Sequence, residues 1–444
     1  MTFFDSGIDS LRYASRAITE QCLANMHDPQ GEGAHAFTQV YDEASRISAE
    51  LTERLHSLGV GLGPLAGMPI SVKDLFDIQG EPTLAGSKAM LDAPRAAKDA
   101  EIIRRLRNAG AIIVGKTNMT EFAFSGLGLN PHYGTPANPW RRAERRIPGG
   151  SSSGAAVSVA DGMAVAALGT DTGGSVRIPA AMCGLVGFKP TAQTLPMSGV
   201  LPLSTSYDSV GPIANDVYTC ALVYAVSAGR EPGTIDDIPL SSISLGVAKN
   251  YVLDQIDETV TNTYEAALTR LSTAGVRLND YVFPVFDRIQ SIFVDGGLVA
   301  AEAYAWHRHL IDTKSNLYDP RVLTRIMRGK DRTFADYVDL LNLRRELIDE
   351  GNRQMRRVHA VIMPTVPIVP PRISDLDDDS EFARVNLLVL RNPTVANVLD
   401  ACSISLPCHE PGQAPVGCML IAPGGNDRFL FAIALALERV LRVQ

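Results

Sequence analysis

Apolar residues recur three and four positions apart from Ile8 to Met26 and from Ala34 to Leu58, in stretches rich in Ala, Glu and Arg. That period predicts two amphipathic helices. Gly61 to Gly67 ends the helical region. Pro69 to Ile78 reads as a buried strand running into a turn, and Asp99 to Ala109 as a helix closed by Gly110. Ala111 to Val114 is a short β-branched strand leading into Gly115-Lys116-Thr117-Asn118. This alternation of strand, loop and helix predicts a mostly parallel sheet covered by helices. Asn138 to Gly154 lapses into a polar, proline-bearing loop. Ala155 to Ala160 then reads as a short helix stopped by Asp161-Gly162, and Met163 to Leu168 as a strand delivering Gly169 to Ser175 at its carboxyl end. Ligands of open α/β sheets bind at such ends.

The same layout continues downstream. Strands are expected at Ser244 to Asn250, Ala360 to Pro364, Ile404 to Cys408 and Val416 to Ile421, and helices at Glu258 to Ala274, Ser291 to Leu310, Thr333 to Arg357 and Arg428 to Leu441. Pro364 to Asp379, rich in proline and aspartate, is the best linker or surface loop. The fold expected is α/β: a single large domain with a central mixed, mostly parallel sheet and helices on both faces. Residues 1–60 would form a helical region packed on the core and 61–444 the α/β domain, one structural unit overall.

Composition narrows the function. A chain of 444 residues with 45% apolar content can bury a large core. Its formal charge of −8 and lack of a basic stripe give nucleic-acid binding no electrostatic support. The six cysteines are scattered without a C-x-x-C pair, which argues against zinc and a disulfide framework and for free thiols in a reducing cytosol. Asp5 and Asp9 interrupt any signal-peptide core, and no run approaches the roughly 18 apolar residues of a membrane span. A soluble, cytoplasmic protein without a membrane partner is expected.

The candidate chemistry lies in two seryl clusters, Gly149-Gly150-Ser151-Ser152-Ser153-Gly154 and Gly169-Thr170-Asp171-Thr172-Gly173-Gly174-Ser175-Val176-Arg177-Ile178-Pro179, and in Lys73 of Pro69-Ile70-Ser71-Val72-Lys73-Asp74. A serine hydroxyl needs a neighbouring base. No histidine lies within or close beside the clusters, whereas Lys73 sits among Ile70, Val72, Leu75 and Phe76, and burial favours an uncharged lysine. A lysine snorkelling from a strand edge, or paired with Asp74 or Asp77, is the competing reading. Thr172-Gly173-Gly174-Ser175 can aim several backbone N–H groups at a developing oxyanion. A phosphate loop would require Gly-Lys-Ser/Thr, and Val176-Arg177 follows instead. Gly150-Ser151-Ser152-Ser153-Gly154 matches a nucleophile elbow in form, but the polar stretch Arg141 to Pro148 stands where its strand should be. Ser151 or Ser152 could instead cap the following helix.

The run Gly149 to Thr191, including Gly-Thr-Asp-Thr-Gly-Gly-Ser-Val-Arg-Ile-Pro-Ala and Gly-Leu-Val-Gly-Phe-Lys-Pro-Thr, resembles the amidase signature family. The likeness extends from about Pro64 through Asp216 and resumes at Pro393 to Asn397, Ser405 to Cys408 and Pro415 to Pro423. One departure is Ser153-Gly154-Ala155, where many members read Gly-Gly-Ser. The resemblance implies the amidase signature fold, with Ser175 as acyl-accepting nucleophile, Ser151 as bridging serine, often on a cis peptide, and Lys73 as base. It implies a structural hydrogen-bonding role for Ser152, and an oxyanion hole of backbone N–H groups of Thr172, Gly173, Gly174 and Ser175. No cofactor and no metal is implied.

The activity implied is hydrolysis of a small-molecule carboxamide to carboxylate plus ammonia or amine, through an acyl-Ser175 intermediate. Tyr318-Asp319-Pro320-Arg321-Val322-Leu323-Thr324-Arg325-Ile326-Met327 resembles the segment where several members set an arginine against a substrate carboxylate, making Arg325, with Tyr318 beside it, the candidate partner. A solvated helix arginine, in a stretch also holding Arg321 and Arg328, is the competing reading. Two alternatives to a stand-alone amidase remain. The ammonia-releasing component of the tRNA-dependent glutamyl/aspartyl amidotransferase usually carries an aspartate for the glutamine amino group, and Leu390 aligns there. A catalytically silent scaffold is the other, against which the intact lysine and serines argue. A small-molecule amide and no nucleic acid are the expected partners, with a homodimer as the default assembly.

Overall fold

The computed structural model describes residues 11–442. Residues 8–10 of the first predicted helix, and Asp5 and Asp9, lie outside the described residues.

Among the described residues, one sheet of eleven strands organises the fold. In chain order the strands are β1 (Phe37–Val40), β2 (Pro69–Lys73), β3 (Ile112–Thr117), β4 (Ala166–Asp171), β5 (Val186–Lys189), β6 (Ser209–Ala214), β7 (Ser244–Ala248), β8 (Arg277–Tyr281), β9 (Ala360–Pro364), β10 (Cys402–Pro407) and β11 (Gly417–Ala422). Their spatial order is β1-β3-β2-β4-β6-β5-β10-β11-β9-β7-β8. Every residue of β2, β3 and β4 is buried. They are covered on both faces, and the polar residues they carry, Ser71, Lys73, Lys116, Thr117, Thr170 and Asp171, are buried with them.

The expected mixed sheet flanked by helices is present, but its parallel character is confined to two flanks. Parallel ladders join β2 to β3 and β4, and β7 to β8 and β9. The other six are antiparallel. Of the middle strands, the β5–β6 and β10–β11 pairs are consecutive in sequence and joined by loops that reverse the chain, whereas a parallel pair needs a long crossover.

The expected strands at 69, 111, 163, 244, 360, 404 and 416 all form, with ends shifted by a few residues. The helix expected from Ala34 to Leu58 is broken: Gly33–Ala36 and Asp42–Ser57 are helical, with β1 between them. Phe37-Thr38-Gln39-Val40 joins the sheet edge against β3, where a Cβ on Gly115 would lie 2.4 Å from the Gln39 carbonyl oxygen. Tertiary pairing overrides the helical period there. Pro364 to Asp379 is a packed loop, not a linker, because Val366 and Leu376 insert into a cluster with Leu127, Ile147 and Met182. After it comes the 20-residue helix Asp379–Val398, which contains Pro393 and to which no element was assigned from sequence.

All six cysteines are buried and free. Among the described residues no helix is long and apolar enough to cross a membrane.

Candidate active site

Because β2 and β4 are parallel neighbours, with Val72 opposite Leu168, their carboxyl ends emerge side by side. Lys73 is the last residue of β2, and Thr170 and Asp171 close β4. Ser151 arrives from the loop before the helix Ser153–Ala160, on a cis peptide with Gly150. Two backbone bonds stitch this loop into place: Thr120 N–H donates to the Ser151 carbonyl (3.1 Å) and Ser152 N–H to the Ser175 carbonyl (3.3 Å). The Ser152 hydroxyl donates to the Thr170 carbonyl at 3.4 Å and does not cap the helix.

Lys73 has no solvent exposure. Its Nζ donates to Ser151 Oγ at 2.7 Å and to Thr170 Oγ1 at 2.8 Å. Neither acid of the competing reading pairs with it. Asp74 turns to the equally buried Lys116 (3.0 Å), and Asp77 accepts the Thr83 hydroxyl (2.7 Å). With water excluded, burial pulls the Lys73 amine from 10.5 down to about 7, against the smaller upward pull of Asp208 and Asp171. An amine poised there is partly unprotonated at neutral pH. Its contact with Ser151 Oγ can then run the other way, the serine hydroxyl donating.

The loop after β4 is held by Asp171. Burial alone would raise this carboxyl, but Arg177 (Nη2 2.9 Å, Nε 3.0 Å) and Asn397 Nδ2 (2.9 Å) hold it far below the usual carboxylate range. The remaining Arg177 donors reach Pro393 O and Asn397 Oδ1, tying the loop to the helix Asp379–Val398. Gly174 has φ +119°, and a Cβ there would stand 2.5 Å from Pro393 Cβ, so only glycine fits. One expectation needs correcting. Gly174 N–H donates to Asp171 Oδ1 at 2.8 Å and is committed to holding the loop, which leaves the amides of Thr172, Gly173 and Ser175 as oxyanion candidates. Thr172 Oγ1 donates to Asp208 Oδ1 (2.5 Å), whose other oxygen accepts from Leu203 and Ser204 N–H. Burial raises the Asp208 carboxyl to about 6 despite these bonds.

Ser175, Thr172 and Gly173 open onto a cavity of about 140 Å³. Leu387, Leu390, Arg391 and Thr394, spaced as one face of a helix, form one wall, and Arg325 and Arg328 belong to another. Arg325 is half-buried with its guanidinium 4.8 Å over the Phe124 ring. Burial, then the neighbouring Arg328, pull it down to about 10, which leaves it charged at neutral pH. Tyr318 is not where the sequence led us to expect it. Its hydroxyl bonds His307 Nδ1 (2.9 Å) and its ring packs on Phe122, so it supports the arginine-bearing helix Pro320–Met327 from behind and does not line the cavity.

Sequence reasoning assigned no role to Thr170, to the Asp171–Arg177–Asn397 network or to Asp208. Asp171 and Arg177 did carry a signal, being opposite charges in an otherwise apolar and glycine-rich stretch. Asp208 carried none, because only the fold brings its turn against Thr172, 36 residues away in sequence.

A family model described as Amidase matches residues 17–431. The 2-amino-5-chloromuconic acid deaminase of Comamonas testosteroni is 36% identical over 429 residues, covering 96% of this chain and 92% of that protein. A component of the glutamyl-tRNA(Gln) amidotransferase of Symbiobacterium thermophilum is 32% identical over 461 residues, covering 96% and 93%. A solved amidase crystal structure superposes with a TM-score of 0.89 at 30% identity, covering 100% of both chains.

Proposed function

The chain belongs to the amidase family, and from that premise we propose that it hydrolyses a small carboxamide with Lys73 as base, Ser151 as proton relay and Ser175 as nucleophile. The observation that carries this is Lys73 Nζ, wholly buried, in no ion pair among the described residues, and 2.7 Å from Ser151 Oγ.

Ser175 Oγ attacks the amide carbon while its proton passes to Ser151 Oγ and the Ser151 proton passes to neutral Lys73. The backbone amides of Thr172, Gly173 and Ser175 hold the developing oxyanion. As the tetrahedral species collapses, the C–N bond breaks and the proton returns from Lys73 through Ser151 to the leaving nitrogen. Ammonia or an amine departs. Water then adds to the acyl-Ser175 ester, giving its proton to Lys73 through Ser151. As the second tetrahedral species collapses, the ester C–O bond breaks and the proton returns from Lys73 through Ser151 to Ser175 Oγ, releasing the carboxylic product and restoring neutral Lys73 and the Ser175 hydroxyl.

Arg325 is the candidate partner for a substrate carboxylate, since its planar fork matches one and Phe124 fixes its orientation. The cavity argues against glutamine. Leu390 stands where an aspartate would hold the amino group, and no carboxylate lines the cavity among the described residues.

The test is a panel of primary amides, anilides, carboxylated amides and glutamine, assayed with wild type, Ser175→Ala and Lys73→Ala. Ser175→Ala abolishes turnover, and Lys73→Ala loses ~10²–10⁴-fold or more. Near-normal rates for Lys73→Ala at neutral pH refute the base, and ammonia release from glutamine alone restores the amidotransferase reading. In the same panel, Arg325→Ala erases the preference for carboxylated amides; an unchanged preference removes Arg325 from the site.

A further inference from the structure

The walls of the Ser175 cavity carry three arginines, Arg325, Arg328 and Arg391, and no acid among the described residues. They come from two separate elements. Arg325 and Arg328 lie on and just after the helix Pro320–Met327, and Arg391 lies on the helix Asp379–Val398. Arg325 rests on Phe124 and meets no carboxylate.

Arg391 is held more firmly. Its Nε donates to Asn392 Oδ1 (2.9 Å), Nη2 to Val252 O (2.9 Å) and Nη1 to Asp254 O. These are neutral oxygens, and three bonds leave two of the five guanidinium N–H donors free, one on each Nη. Tyr251, itself part of the lining, faces the same guanidinium at 5.9 Å.

A partly buried guanidinium that is fixed by neutral acceptors, as at Arg391, or seated on an aromatic ring, as at Arg325, and keeps unused donors beside a cavity is preorganised for an anion. Two such groups on different walls call for two anions on one ligand. Leu203, Phe293, Val299, Leu387 and Leu390 line the space between polar groups, which suits a hydrocarbon spacer. At about 140 Å³ the cavity is close to the ~150 Å³ that holds a benzene, so the spacer is a few carbons long.

Resting on the amidase reading of Ser175, we propose that the substrate is a small carboxamide that also carries two carboxylates joined by a short hydrocarbon spacer, one for Arg325 and the second for Arg391. Arg328, exposed at the mouth, adds to the attractive field that draws such a dianion in.

The test needs no turnover, so failure of the hydrolase reading and failure of this one are separable. Succinate, glutarate and adipate are titrated calorimetrically into the full-length wild-type protein beside butyrate, valerate and hexanoate, with inorganic phosphate as a further arm. At least one dicarboxylate binds ~10-fold or more tightly than the monocarboxylate of similar length, the worth of one charge-assisted pair. Arg391→Gln brings that ratio close to one, while Arg391→Lys, which keeps charge without the fork, retains part of it. The ratio of two ligands in one preparation does not depend on the fraction folded, so partial unfolding of a variant does not obscure the result. Equal affinities in wild type, no binding of either class, a ratio that survives Arg391→Gln, or phosphate binding as tightly as the best dicarboxylate each overturns the proposal.

Discussion

Replacing Lys73 with methionine separates the electrostatic cost of the buried amine from everything else the residue does. Folding takes Lys73 from an ordinary 10.5 to about 7. Between those values the unfolded chain binds the extra proton, so wild-type stability rises with pH across the window, and the amine's cost is fully present below about 7 and gone above about 10.5. With ~1.36 kcal/mol per pH unit, the cost is about 4 kcal/mol at about pH 7.5 and about 1–2 kcal/mol at about pH 9.5. Lys73→Met removes this term at both pH values. It also strips a partner from Ser151 Oγ and Thr170 Oγ1, a loss of about 1–3 kcal/mol each that does not vary with pH. The sign of the stability change at one pH is therefore not diagnostic, but its change with pH is. Urea unfolding of both proteins should show wild type gaining about 2–3 kcal/mol on Lys73→Met between the two pH values. Wild-type kcat/KM should also fall tenfold per unit below about pH 7, where the base is protonated. Parallel stabilities across the two pH values would refute a depressed lysine, and with it the base.

Three further outcomes follow from the same contacts. Thr170→Val removes an acceptor that favours the Lys73 ammonium, so the acidic limb of the pH–rate profile should move to lower pH, as read from kcat/KM between about pH 5 and 8. Gly174→Ala forces a Cβ against Pro393 at a positive φ, and should destabilise the fold by about 2 kcal/mol or more in denaturant titration and cut kcat at least ~100-fold by displacing the Ser175 loop. Arg177→Met leaves Asp171 buried without its cation, which should lower stability by about 3–5 kcal/mol in the same titration.

Much of this protein is written locally. The positions of β9 and β11 follow from unbroken apolar runs, and those of β3 and β4 from the apolar starts Ile112-Ile113-Val114 and Ala166-Ala167-Leu168, because a strand covered on both faces needs no alternating polar side. The two glycine-rich seryl clusters announce tight backbone turns wherever they fall, and their place after strand ends already marks a site. What local pattern could not supply is everything that depends on which distant segments meet. The edge strand β1 lies inside a helical period and exists through its pairing with β3, and the helix Asp379–Val398 forms around a proline that local rules treat as a breaker. A lysine next to an aspartate reads equally well as an ion pair. The structure decides otherwise by giving Asp74 to Lys116, from the neighbouring strand, and leaving Lys73 to two hydroxyls. Likewise Asp171 takes the Gly174 amide, His307 takes Tyr318, and helices remote in sequence bring their arginines to one cavity. Residue types and backbone permissiveness are properties of short stretches, whereas charge state, hydrogen-bond allegiance and the sign of a cavity's field are set by burial and neighbours, which exist only once the chain has folded.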